Sequence, residues 1–231
     1  KELEPDLVTY NALISACGKS EQGDHVADLL CELKRNSVQP NIVTHNVAIS
    51  SFGKSMRWKS ALGVLADARQ KDCMPDRITH NAAISACERG QQWALALEQL
   101  EELKVTGPMP DLITANAAMS ACEKGARWEH ALQLLNLVRD RLLIPSVITF
   151  AAAISSCEKG HAWELALGLL KELKHRDLTP NRFIYNAAIS ACEKGNQWEL
   201  SLELLCELQR RRIDPDIITY NAAISACEKG L

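Results

Sequence analysis

Apolar and polar positions along this 231-residue chain follow a helical period that restarts every 35 residues. In the first restart, a rotation of about 100° per residue places Tyr10, Leu13, Ile14 and Cys17 on one side of a predicted helix. That side is predicted to face a partner helix. Ala12 and Ala16 fall on a second side, small enough for a neighbouring repeat to approach closely. Asn11, Ser15 and Lys19, spaced i, i+4, i+8, form a third and polar stripe. The segment beginning at Trp198 predicts a second kind of helix. Trp198, Leu202, Leu205 and Leu208 make its apolar face, and Glu199, Glu203 and Glu207 make an acidic face directed at solvent. One hairpin of such helices cannot bury all its apolar faces, whereas stacked hairpins do.

The punctuation between helices carries the same period. Pro5, Pro40, Pro75, Pro110, Pro145, Pro180 and Pro215 are spaced by 35, as are Trp58, Trp93, Trp128, Trp163 and Trp198. An Asn column runs Asn11, Asn46, Asn81, Asn116, Asn186 and Asn221, broken by Ala151 alone. The units typically offer a Thr as a candidate N-cap, an Ala/Ile-rich first helix (helix A), a Gly as stop signal, a second helix (helix B), and a proline that ends it. Six units occupy residues 7–41, 42–76, 77–111, 112–146, 147–181 and 182–216. Residues 1–6 are the tail of a preceding unit, and 217–231 are part of a seventh. The architecture predicted is an all-α solenoid of tandem 35-residue helix-turn-helix repeats in a single domain. Gly23 stands in the Trp register, which predicts looser packing in the first repeat.

Composition supports a packed helical protein. Residues are 47% hydrophobic and only 5% aromatic, and abundant Ala and Leu favour helix. No apolar run reaches bilayer-spanning length, and no targeting segment is visible at Lys1. The missing initiator Met and the opening on a repeat tail read as a fragment of a longer protein. Of nine Cys, Cys17, Cys87, Cys122, Cys157, Cys192 and Cys227 share one register, and Cys31 and Cys206 another. No CxxC pair supplies zinc-ligand spacing, so these read as buried thiols rather than a metal site. No metal-ligand cluster, phosphate loop or acid–base constellation interrupts the repeats. The sequence therefore predicts no enzyme, no metal, no cofactor and no small-molecule substrate.

The formal net charge is −3 and the isoelectric point is near 6.1, below the usual range of nucleic-acid binders. The charge is segregated, however. Helix A ends on a basic residue in every unit: Lys19, Lys54, Arg89, Lys124, Lys159, Lys194 and Lys229. Stacking would align them as a ladder, beside which sit Glu88, Glu123, Glu158, Glu193 and Glu228. These cations also suit a helix C-terminus through the macrodipole. The Trp column reads as packing between helices rather than as a base-stacking platform. An Asn near a helix start commonly bonds local backbone. Six in register, matched by an Asp/Asn/Ser column at the unit ends, point to binding instead.

The run VTYNALISACGK, followed by a second helix and PN or PD, resembles the pentatricopeptide repeat family, and the resemblance covers essentially residues 1–231. It implies a right-handed superhelix with the A helices lining the inner groove. It also implies recognition of single-stranded RNA at about one nucleotide per repeat. Two side chains per unit would read the base: Asn11 with Asn41, Asn46 with Asp76, Asn81 with Asp111, Asn116 with Ser146, Ala151 with Asn181, and Asn186 with Asp216. An amide offers donor and acceptor to an unpaired base edge, whereas Ala151 discriminates little. Val8, Val43, Ile78, Ile113, Ile148, Phe183 and Ile218 would pack on base faces, and the basic ladder would lie near phosphate. The family's code then gives 5′-(C/U)-U-U-C-N-U-3′. The resemblance further implies a chloroplast or mitochondrial setting in RNA processing or expression. The competing reading is a protein-interaction scaffold or a subunit of a large assembly. Protein partners would dock on the solenoid ends or convex face, with no membrane involved.

Overall fold

The computed structural model describes residues 5–70 and 73–230. Lys1 to Glu4, most of the tail assigned to 1–6, lie outside the described residues, as does Leu231. Among the described residues there are thirteen helices and no strand. The A and B helices alternate: α1 (Leu7–Lys19) and α2 (Gly23–Arg35), α3 (Ile42–Lys54) and α4 (Trp58–Gln70), α5 (Arg77–Arg89) and α6 (Trp93–Thr106), α7 (Leu112–Lys124) and α8 (Trp128–Asp140), α9 (Val147–Lys159) and α10 (Trp163–His175), α11 (Arg182–Lys194) and α12 (Trp198–Arg210), then α13 (Ile217–Gly230). The fold is an all-α helical-repeat solenoid. It divides into two compact units, Lys1–Ala121 and Cys122–Leu231. In the first, α1 packs on α3 and α3 on α5, and each A helix also packs on its own B helix. The second repeats the scheme with α9, α11 and α13.

The helix starts differ from the sequence reading. Thr does not cap helix A. The N-cap is the last residue of the preceding unit, and Thr stands three residues inside in every A helix except α11, where Ile184 does. Asp76 Oδ1 accepts from Thr79 N at 2.8 Å, and the Thr79 hydroxyl reaches back to accept from Asp76 N at 3.1 Å. Asn41–Thr44 and Ser146–Thr149 form the same reciprocal capping box, and Asp6, Asp111, Asn181 and Asp216 cap their helices likewise. Asp, Asn and Ser are stronger caps than Thr, and Thr supplies the box's second hydroxyl. Thr44, Thr79, Thr114, Thr149 and Thr219 are buried.

The turn from helix A to helix B also departs from expectation. The glycine after helix A is not the left-handed residue, since Gly90 has φ −76°, Gly160 −88° and Gly195 −87°. The left-handed position falls one residue later, on Gln91, His161 and Asn196. There the next amide closes a Schellman bond, as from Gln92 N to Cys87 O at 2.8 Å. Glycine is required beside these turns for space. A Cβ on Gly90 would lie 2.3 Å from Cδ1 of Trp58 in the preceding repeat, and Gly160, Gly195 and Gly230 meet Trp128, Trp163 and Trp198 the same way. Trp58, Trp128, Trp163 and Trp198 therefore each pack their own repeat on the next. In the first repeat Gly23 is buried, and Ser55 and Arg57 close over it, with Arg57 held by Asp24 at 2.6 Å.

Burial follows close approach of the A helices. Ile14, Ala48, Ile49, Phe52, Ala83 and Ala86 join Val26, Ala61 and Leu65 in one core cluster. Leu13 is exposed because it belongs to the first A helix, whereas Ala48 and Ala83 in its register are buried. On α12 the buried seam is Ser201, Leu204 and Leu208; Leu202, predicted inside, is exposed, and Trp198 and Leu205 are half-buried. Glu207, predicted to face solvent, accepts from Lys174 Nζ at 2.6 Å, Tyr185 Oη at 2.9 Å and Arg211 Nε at 3.0 Å. Lys34–Asp67, Arg69–Glu102 and Arg139–Glu172 likewise bridge one B helix to the next. Cys87, Cys122, Cys157 and Cys192 are buried as predicted, Cys17 and Cys227 half-buried, and Cys31 and Cys206 exposed.

Candidate nucleic-acid interface

In the first unit Asn46 and Asn81, and in the second Asn186, stand on the first turns of their A helices beside the N-cap of the following A helix. Asn46 Nδ2 donates to Asp76 Oδ1 at 3.4 Å, and Asn186 Nδ2 donates to Asp216 Oδ1 at 3.1 Å. The two residues predicted to read one base are therefore hydrogen-bonded to each other. Asn186 is engaged from its other end as well, its Oδ1 accepting the Thr219 hydroxyl at 2.6 Å, and Asn81 Oδ1 accepts the Thr114 hydroxyl at 2.6 Å. The Oδ1 atoms of Asn11 and Asn46 are buried without a hydrogen-bond partner. Asn116 and Ala151 are half-buried at the same register of α7 and α9, and Ser146 and Asn181 are N-caps. The Thr column was missed by the sequence reading as part of the site. Its signal was the Thr two residues before nearly every Asn.

The carboxylates in this row are held ionised. Burial works against the charge on Asp76, but the Thr79 hydroxyl and N–H and the Asn46 amide outweigh it and keep its carboxyl below the ordinary value. At Asp111 the same contest is won by Thr114 and by Arg77, whose Nε lies 3.2 Å away. Asp216 is lowered chiefly by the Thr219 N–H and hydroxyl, with help from Asn186 and Arg182.

Three residues before each Asn, a large apolar side chain stands in solvent: Val8 is 73% exposed, Val43 51%, Ile78 64%, Ile113 68%, Ile148 68%, Phe183 53% and Ile218 63%. In the first compact unit, Asn46, Ile78 and Asn81 line one cleft of about 310 Å³ together with Ser85, Lys54 and Arg89.

The basic ladder is not uniformly available. Lys159 binds Glu123 at 2.9 Å, Lys194 binds Glu158 at 2.6 Å, and Lys229 binds Glu193 at 2.7 Å, each carboxylate coming from the preceding repeat. Lys19, Lys54 and Arg89 make no ion pair among the described residues. Among those residues there is also no group of three His, Cys, Asp or Glu placed to hold a metal, and no helix long and apolar enough to cross a membrane.

A row of helical hairpins presenting an exposed apolar residue per repeat, beside Asn–Asp pairs bonded at Asn46–Asp76 and Asn186–Asp216, defines a helical-repeat protein with a modular binding face. Three family models match it: the PPR repeat family over residues 5–54 and 180–229, the pentatricopeptide repeat domain over 138–197, and the PPR repeat over 43–73. Together they span more than half of the chain, which belongs to the pentatricopeptide repeat family. No curated protein matches it. Among solved structures, the pentatricopeptide repeat protein PPR10 from maize superposes with a TM-score of 0.70 at 23% identity, over 96% of this chain and 32% of that one. Nuclear proteinaceous RNase P 2 from A. thaliana gives 0.70 at 13% identity, over 83% and 43%. The PPR domain of Arabidopsis thaliana protein-only RNase P 1, solved in complex with tRNA, gives 0.63 at 13%, over 75% and 91%. At these identities the likeness is one of fold. The chain spans about a third of the length of the maize protein.

Proposed function

We propose that this chain is a single-stranded RNA-binding module that takes about one nucleotide per repeat and reads 5′-(C/U)-U-U-C-N-U-3′. The observation that carries the reading is the exposed apolar column, Val8 through Ile218, in register beside the bonded Asn/Asp pairs. The solenoid's own core makes no use of these side chains, and a column of them costs solvent exposure unless a flat apolar ligand covers it. Unpaired bases supply such faces, together with the polar edges that the Asn and Asp atoms match. The chain itself is assigned no catalytic step, and its proposed setting, by family membership, is a chloroplast or mitochondrion. Binding of a labelled CUUCAU hexaribonucleotide, compared with a purine-substituted strand and the matching duplex, tests the reading. The proposal requires preference for the pyrimidine single strand. Equal binding of purine strands would remove the code, and a folded protein that bound none of them at low salt would turn the search to protein partners.

A further inference from the structure

The late repeats carry a built-in answer to what the end of helix A binds. Each A helix holds a Ser and a cation four residues apart: Ser15 and Lys19, Ser50 and Lys54, Ser85 and Arg89, Ser120 and Lys124, Ser155 and Lys159, Ser190 and Lys194, Ser225 and Lys229. In the last three, one carboxylate oxygen from the preceding repeat accepts from both. Glu123 Oε1 takes Ser155 Oγ at 2.9 Å and Lys159 Nζ at 2.9 Å. Glu158 Oε1 takes Ser190 Oγ at 3.0 Å and Lys194 Nζ at 2.6 Å. Glu193 Oε1 takes Ser225 Oγ at 2.9 Å and Lys229 Nζ at 2.7 Å.

The early repeats keep the donors and lack the acid. The register that holds Glu123, Glu158 and Glu193 falls on Gly18 opposite Ser50 and Lys54, and on Gly53 opposite Ser85 and Arg89. The helices are close there. A Cβ on Gly18 would lie 2.2 Å from Ser51 Oγ, and one on Gly53 3.1 Å from the Ala86 Cβ. Ser85 and both cations line the cleft that also holds Asn46, Ile78 and Asn81.

We infer that this cleft between the second and third repeats is the chain's phosphate anchor: Ser85 with Arg89, and Ser50 with Lys54, take RNA phosphate oxygens where later repeats hold a Glu carboxylate. The inference rests on the RNA-binding function proposed above. It divides that function between the two ends of the chain. The early repeats supply charge neutralisation, and so the salt-dependent part of affinity. In the late repeats the lysines are already neutralised, so base contacts there come without a phosphate contact. A phosphate arriving at Lys159 would have to displace Glu123 and then face it.

The experiment is fluorescence anisotropy of labelled CUUCAU RNA over a salt series, with the wild type, a K54Q/R89Q variant, a K159Q/K194Q variant and an E123Q/E158Q variant, each checked for fold by circular dichroism. K54Q/R89Q is expected to flatten the slope of log K against log salt by about 1.4, at roughly 0.7 per phosphate contact on a single strand. K159Q/K194Q is expected to leave the slope unchanged, and E123Q/E158Q, by releasing two lysines, to steepen it. Equal flattening by the two lysine–arginine variants, or an unaltered slope in K54Q/R89Q, would overturn the anchor while leaving RNA binding intact. A folded wild type without RNA affinity at any salt would overturn both.

Discussion

Trp163 and Gly195 are shaped to one another across a repeat boundary: a Cβ on Gly195 would stand 2.3 Å from the indole Cδ1. The first repeat shows the converse arrangement. Where Gly23 replaces Trp, Ser55 replaces Gly, and a Cβ on Gly23 would lie 3.0 Å from the Ser55 Cβ. The bulk has moved from one side of the boundary to the other. Gly195→Ala is therefore expected to cost about 1–3 kcal/mol by forced repacking. Gly168→Ala, on the exposed side of α10 with nothing within 4 Å, is expected to stabilise by about 0.5–1 kcal/mol through helix propensity alone. Urea unfolding of the two variants checks both signs.

The same relationship predicts a coupling. Gly23→Trp alone collides with Ser55 and Arg57, and Ser55→Gly alone leaves space. The double variant recreates the arrangement of the later repeats. A double-mutant cycle is expected to give a favourable interaction of about 1 kcal/mol or more. Additive behaviour would show that the first boundary is packed by other contacts.

Acid should weaken the repeats through their caps. Asp76 and Asp111 titrate below the ordinary value of 3.8, because hydrogen bonds from the next helix outweigh burial. Groups lowered in the folded state stabilise it above their unfolded value, and that stability is lost as pH falls through the folded value. Melting temperature should hold near neutral pH and fall steeply below about pH 4. Asp76→Asn, which keeps the cap but cannot titrate, should flatten part of that fall. Asp76→Ala should cost about 1 kcal/mol at neutral pH.

Thiol chemistry separates the nine cysteines. Burial pushes the Cys87, Cys122 and Cys192 thiols up to about 11 and the Cys157 thiol up to about 12. They are protonated at physiological pH and shielded, so their reactivity is low. Cys31 and Cys206 are exposed. Mass spectrometry after brief alkylation of the native protein should find label on these two first, and on the buried four only after unfolding.

The proposed code has an internal gap that can be filled. Ala151 occupies the Asn register and offers no side-chain hydrogen bond, while its partner Asn181 caps α11, accepting from Ile184 N at 3.0 Å. Ala151→Asn should create discrimination at the fifth nucleotide, worth about 1–3 kcal/mol between matched and mismatched bases. Binding measured against four hexamers that differ only at that position reads the outcome directly.

The period, the helix pairs and the packing role of Trp were legible in the sequence because each rests on spacing. Assignments that rest on which of two similar residues wins a local contest were not. Asp76 and Thr79 are both cap formers three residues apart, and only the geometry shows Asp taking the cap and Thr the second half of the box. Gly90 reads as a left-handed stop, yet Gln91 takes that conformation and Gly90 makes room for Trp58. Leu202 and Leu204 are equally apolar, and only the packing of α12 buries Leu204 while exposing Leu202. The ladder from Lys19 to Lys229 was visible, but its division into paired and unpaired halves follows from two glycines, Gly18 and Gly53, that nothing local marks as electrostatic.

The hydrogen bond from Asn186 to Asp216 joins a letter of the proposed code to the first turn of the next repeat. Respelling a repeat therefore also means re-capping its neighbour. Only Asp, Asn, Ser, Thr and Gly begin a helix well, so the alphabet at that position is set by folding before any RNA is met. A family of such proteins can diversify its targets freely only among side chains that also start a helix, and a designer who writes Leu or Lys there should expect the next hairpin to loosen before the specificity changes.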